Sequence, residues 1–172
     1  SYIGERSFEG CTSLKNISFN SDVELIGKYA FCSCNSLDLI SIPYKVKLID
    51  DYCFDRCYSL KSVSMPLLDY VGKYAFNDCK SLITIDDFSN VIGIGSGAFN
   101  GCCLLEKISI PSIVKIGKHA FLNCTNLNEV KLSLFTKFIG KFAFKNCKSL
   151  SKLDIPNTLV NYGHDFLEGC SS

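Results

Sequence analysis

Cys32 and Cys34, two positions apart in the stretch IGKYAFCSCNSL, form the pair whose spacing most invites chemistry. Thiolates hold zinc when four ligands converge, and paired thiols do redox work when one is accessible and has a lowered pKa. The other cysteines decide between these readings. Eight of the eleven, Cys11, Cys34, Cys57, Cys79, Cys102, Cys124, Cys147 and Cys170, follow one another at steps of 22 or 23 residues. They are one position met eight times, and a column running along a stack does not converge on an ion. Parallel Cβ vectors on neighbouring rungs also miss the disulfide torsion of about 90°. The columnar thiols therefore read as small, buried, weakly polar packing groups.

Three cysteines lie off the column. Cys53 replaces an alanine and reads as a second small core residue. Cys32 and Cys103 fall in different columns three rungs apart, about 15 Å at strand spacing, so they do not pair with each other. Both are expected as partly exposed free thiols, with Cys32 the more reactive candidate. An odd total of 11 argues against a closed disulfide framework.

No other chemistry-bearing group converges. His119 and His164 stand two rungs apart in different columns, with no Cys, Asp or Glu at ligand spacing, and read as surface residues. The glycines of VIGIGSGAF imitate a phosphate loop without the long helix such a loop needs. No G-x-S-x-G, H-E-x-x-H or P-loop occurs. The expectation is a chain with no catalytic residue, no metal ligand and no cofactor. Asn16-Ile17-Ser18 and Asn123-Cys124-Thr125 are glycan acceptors for a eukaryotic secretory route.

The elements that position these residues come from the repeated phrase I-G-x-x-A-F-x-x-C-x-x-L-x-x-I-x-I-P. Leu105, Ile108 and Ile110 alternate with Lys107 and Ser109, the period of a short strand with one buried face. Pro43, Pro66, Pro111 and Pro156 stop that strand. Ile26, Ala30 and Cys34 lie four apart, which predicts one face of a short helical turn, with Gly27, or Asp50 in the next copy, at its N-cap. Stacked at about 4.8 Å, such units make one wall of seven parallel strands and an opposite wall of helical turns. Helical turns are wider than strands, so the strand wall is expected to be concave. A column of Phe8, Phe31, Phe54, Phe76, Phe99, Phe121, Phe144 and then Leu167 supplies the main packing, about 1.5–3 kcal/mol per ring. Asp87 falls on a buried strand position and Phe88 where proline is usual, which predicts a local bulge. In YGHDFLEGC, register requires Phe166 in the alanine column and Leu167 in the phenylalanine column.

Bulk composition limits the partners. The 172 residues are 47% hydrophobic and 20% charged, with a net charge of +1, so the chain can bury a core and lacks a nucleic-acid footprint. No apolar run reaches membrane-span length. The phrase is entered and left mid-unit, with no capping repeat, so residues 1–172 are expected as a single domain of about seven repeats within a longer array, with end-to-end self-association through uncapped termini among its expected contacts.

The eight recurrences of A-F-x-x-C-x-x-L-x-x-I-x-I-P with I-G before it resemble the BspA-like, or Treponema pallidum type, leucine-rich repeat over the whole chain. The resemblance implies an α/β repeat, a right-handed leucine-rich-repeat solenoid of surface adhesins and parasite surface proteins that binds protein or matrix ligands. In leucine-rich repeats generally, a small residue at the cysteine position hydrogen-bonds along the stack. A cell-surface or secreted location follows from the resemblance, with a cytoplasmic one as the alternative.

On the strand wall the outward columns read Asn16, Leu39, Ser62, Thr84, Lys107, Glu129, Lys152 and Ser18, Ser41, Ser64, Asp86, Ser109, Lys131, Asp154. Lys107, Glu129, Lys131, Lys152 and Asp154 are the candidate partner-binding residues, with Leu39 and Tyr58 as apolar anchors; a self-neutralising charge ladder is the plainer reading. Lys28, Lys73, Lys118, Lys141 and His164 share a column on the opposite wall and read as solvated. The expected function is a non-enzymatic protein-interaction or adhesion module acting through the strand face. A structural spacer and an intracellular scaffold are the alternatives.

Overall fold

The computed structural model describes residues 1–170. Each I-G step contributes a two-residue strand. β1 (Tyr2–Ile3), β2 (Leu25–Ile26), β4 (Leu48–Ile49), β6 (Tyr70–Val71), β8 (Gly93–Ile94), β10 (Lys115–Ile116), β12 (Phe138–Ile139) and β14 (Asn161–Tyr162) pair in that order in one eight-stranded sheet. Every pairing is parallel and in register, one repeat on the next. The aliphatic residue of each central strand is buried, and the residue before it is exposed except at Gly93, which lies beneath the Tyr70 ring.

The expected L-x-x-I-x-I strands form a second wall: β3 (Leu39–Ser41), β5 (Ser62–Ser64) and β7 (Thr84–Asp86) in one sheet, β9 (Lys107–Ser109), β11 (Glu129–Lys131) and β13 (Lys152–Asp154) in another. The single wall of seven strands expected from the sequence is thus six strands in two sheets. Asp87 causes the break. It is exposed, not buried, and adopts a left-handed backbone with φ 59° that leads into the 3-10 turn Phe88–Asn90. Phe88 takes the vacated core slot and meets Phe99 edge-on at 5.8 Å, as Phe19 meets Phe31 at 5.9 Å.

The helical turns expected opposite the strands are absent; each A-F segment is a run of tight β-turns. Two positions per unit carry positive φ, as at Tyr29 (55°) and Ser33 (60°), and such residues do not continue an α-helix. The amides alternate in use. Ala30, Cys32 and Cys34 donate locally to Gly27, Tyr29 and Phe31 at 3.0–3.2 Å, while Tyr29, Phe31 and Ser33 donate to Asp51, Cys53 and Asp55 of the next rung at 2.8–3.2 Å. A helix would turn all six amides inward and leave the rungs unjoined. Glycine precedes the turn for space and not as an N-cap: a Cβ on Gly95 would stand 2.6 Å from the Gly72 carbonyl carbon. The core is the phenylalanine column, its rings from Phe8 to Phe144 spaced 5.1–5.4 Å with planes within 8°. At the last rung Phe144 N donates to Phe166 O at 2.8 Å, as Phe121 N does to Ala143 O at 2.7 Å, so Phe166 holds the alanine position.

Candidate functional site

The cysteine column does structural work through its sulfurs. Cys34 Sγ donates to Phe8 O at 3.1 Å, and Cys57, Cys79, Cys102, Cys124, Cys147 and Cys170 repeat the bond to the phenylalanine carbonyl of the preceding rung at 3.1–3.2 Å. Burial pushes the Cys34 thiol up to about 11 and raises those of Cys57, Cys79, Cys102 and Cys124 well above the ordinary value. Cys53 is buried, as expected. Cys32 is not the accessible thiol expected from its spacing: it is 1% exposed, beneath a polar cluster. Its Sγ lies 3.8 Å from Asp55 Oδ2 and 3.9 Å from Arg56 Nη2, while Asn77 Nδ2 donates to Asp55 Oδ1 at 2.8 Å. Cys103 is partly exposed and donates to Lys80 O at 3.4 Å.

Register aligns the candidate charges on the second wall. Lys107, Glu129 and Lys152 form one outward row across β9, β11 and β13, and Ser109, Lys131 and Asp154 form the next. Glu129 sits between two cations, 3.4 Å from Lys131 Nζ and 3.8 Å from Lys107 Nζ. The hydrogen bond from Lys131, chiefly, holds its carboxyl below the ordinary range. Lys152 and Asp154 form no ion pair among the described residues. Leu39 and Tyr58 are exposed but belong to different columns. Both acceptor asparagines are exposed; Asn123 accepts from Asn146 Nδ2 at 2.9 Å.

The eight-stranded sheet carries a surface that sequence reasoning missed. Its outward column is Tyr2, Leu25, Leu48, Tyr70, Gly93, Lys115, Phe138, Asn161, and Tyr2 and Tyr70 are 75% and 49% exposed. The signal was the residue before I-G, hidden because the phrase was divided as a turn and not as a strand. A second flat column lies alongside, with Tyr29, Tyr52 and Tyr74 stacked at 4.9 and 5.2 Å and His119 stacked on Phe142 at 5.4 Å. Burial first, then Lys118, Lys145 and Lys141, lowers the His119 pKa. His164 is exposed and stands in the lysine column, apart from His119. Between Tyr74 and His119 comes Gly97, and between Tyr70 and Lys115 comes Gly93, so one rung lacks side chains in both columns. The cavity there, about 600 Å³, is lined by Leu48, Tyr70, Val71, Ile92, Ile94 and Val114, by glycines 72, 93 and 95, and by the charged residues Asp51, Lys73 and Lys115. Among the described residues, no three His, Cys, Asp or Glu side chains are placed to hold a metal ion, and no helix is long and apolar enough to cross a membrane.

Solved structures share this architecture. A leucine rich repeat protein of T. pallidum aligns over 94% of this chain and 66% of its own, at 27% identity and TM-score 0.67. A leucine-rich repeat protein of Eubacterium ventriosum aligns over 92% and 37%, at 26% identity and TM-score 0.63. A leucine rich cell surface protein of Faecalibacterium prausnitzii aligns over 98% and 61%, at 25% identity and TM-score 0.49. The chain thus spans less than two thirds of the length of each. The curated proteins contain no match. Six copies of the BspA type leucine rich repeat region are found, over residues 1–102 and 67–172, so the chain belongs to the BspA type leucine-rich-repeat family.

Proposed function

We propose that the chain is a non-enzymatic protein-interaction module of a surface or secreted protein, and that it docks a protein or matrix ligand through the outward face of β9, β11 and β13. The observation that carries this reading is the fixed register of Lys107, Glu129, Lys131, Lys152 and Asp154 on three backbone-locked strands. Charges held on rigid elements recognise a complementary partner with little ordering cost, whereas the same charges on mobile loops pay it. Lys152 and Asp154 form no ion pair among the described residues and so are open to that partner. Residues 1–172 act as one stretch of a longer array in this reading, and a glycan at Asn16 would sit at one end of the same wall.

Surface plasmon resonance of the purified chain against immobilised matrix proteins, collagen and fibronectin among them, tests it. Lys107→Ala, Glu129→Ala, Lys131→Ala and Lys152→Ala combined are expected to weaken binding by about tenfold or more, roughly 1.4 kcal/mol, with an unaltered melting curve. Unchanged binding, or none by the parent chain, favours a spacer.

A further inference from the structure

We propose that the glycine rung of the eight-stranded sheet is a second docking site, which takes an aromatic side chain from an acidic segment of a partner protein. The site rests on the interaction-module reading only in taking the partner to be a protein. It arises because VIGIGSGAF puts glycine at positions 93, 95 and 97, where neighbouring rungs carry Tyr70 or Lys115 on one column and Tyr74 or His119 on the other. The Tyr70 ring leans across the space: a Cβ on Gly93 would lie 2.7 Å from its Cδ1. Glycine is therefore what lets the ring lie down, and the accessible apolar lining beside it comes from Leu48, Ile92 and Val114.

Shape and charge select the occupant. The flanking columns stack flat groups at the rung period, 4.9 and 5.2 Å from Tyr29 to Tyr74 and 5.4 Å from His119 to Phe142. The Tyr70 and Tyr74 rings lean over Gly93 and Gly97, and a guest ring is the group that stacks on the exposed face of Tyr70 in the offset or edge-on geometry that aromatic pairs favour. The cavity of about 600 Å³ accommodates such a side chain with part of its backbone. Lys73 and Lys115 line it and form no ion pair among the described residues, with Lys115 Nζ 5.5 Å from the Phe138 ring centroid, and Lys118 stands two rungs beyond Lys73 in the same column, after Ser96. The one acid in the lining, Asp51, is already engaged, accepting from Lys73 N at 2.7 Å and facing Lys28 Nζ at 3.7 Å. The rim is thus cationic toward a guest, and carboxylates flanking the ring match it.

The chain has no tryptophan, so a guest tryptophan reports its own burial. The probes are synthetic acidic peptides, each with one tryptophan at a different distance from two glutamates. Titration with the chain is expected to give a saturable blue shift for at least one peptide, lost when its tryptophan becomes alanine and weakened as NaCl rises. Gly93→Leu places in the notch the residue found at positions 25 and 48 of the column, and Lys73→Glu with Lys115→Glu reverses the rim. Each variant is expected to bind about tenfold more weakly or worse while circular dichroism stays unchanged. No saturable shift with any peptide, or equal binding by either folded variant, overturns the site. Binding to phosphatidylglycerol vesicles in place of peptide also overturns it, as does self-association in sedimentation that Gly93→Leu abolishes. The combined variant on β9, β11 and β13 retains peptide binding, so loss of matrix binding there and loss of peptide binding here are separate results.

Discussion

A thiol is a weak donor, yet seven cysteines in a row spend theirs on the same carbonyl. The reason is the alternating turn: each phenylalanine carbonyl already accepts one amide from its own rung, and its second lone pair faces the next rung with no amide left to fill it. A buried acceptor left half-used is costly, and a small side chain with one donor repairs it. Cys102→Ala should therefore cost about 1–2 kcal/mol in urea unfolding, while Cys102→Ser, whose hydroxyl can donate to Phe76 O, should cost less. An alanine variant as stable as the parent would show that the sulfur matters only as volume. Burial also fixes reactivity. With a thiol reagent under native conditions, Cys11 and Cys103 should label readily, Cys170 more slowly because burial raises its thiol pKa, and Cys32 only on unfolding, as peptide mapping would reveal.

At the scale of the element, one residue reroutes a strand. Asp87 turns left-handed and Phe88 fills the slot that Ile42, Met65 and Ile110 fill in other rungs, all of them buried. Phe88→Ala should then be as damaging as a loss from the central column, about 3–5 kcal/mol by chemical denaturation; a cost below 1 kcal/mol, on the order of a surface change, would mean the slot is not sealed by that ring. The sequence announced this irregularity, because Asp and Phe broke a pattern kept elsewhere, but not its solution, since a buried aspartate and a flipped backbone both fit the letters. The repeat, the phenylalanine column, the outward charges of β9, β11 and β13 and the register of the last unit were all legible, since each depends on side-chain period alone. The turns were not. Ile26, Ala30 and Cys34 at four-residue spacing share a helix face, and they are equally buried by a run of β-turns whose alternate amides point to the next rung. Tyrosine, histidine and phenylalanine at the first positive-φ position of a unit give no warning of left-handed backbone, but Gly10, Asp78, Gly101, Asn123, Asn146 and Gly169 at the second are the signal for it that the four-residue spacing obscured. The same error concealed the eight-stranded sheet and with it the glycine notch.

For the whole molecule, stacking means that one chemical group recurs at every rung and its titration acts on the fold as a sum. Burial raises the thiol pKa of Cys53, Cys57, Cys79, Cys102, Cys124 and Cys147 above the ordinary value, and no cation is among the causes. A group raised on folding contributes its full stability below the unfolded pKa, about 8.5, and loses it as pH climbs, because the unfolded chain releases protons that the folded one keeps. At about pH 8.5 each of the six thiols forfeits about 0.4 kcal/mol, and at about pH 9.5 about 1.4 kcal/mol. Summed over six, that is about 2 and then about 8 kcal/mol, against a typical domain stability of about 5–15. Melting temperature should be level from about pH 6 to 8, fall steeply above about 8.5, and leave little folded chain by about pH 10. The thiolate absorbance of the buried cysteines and the far-ultraviolet circular dichroism should change together as one transition. Thiolate signal from all the buried cysteines while the dichroism of the sheets persists would mean that the sulfurs reach water without unfolding, and that the column is not the dry interior of the stack.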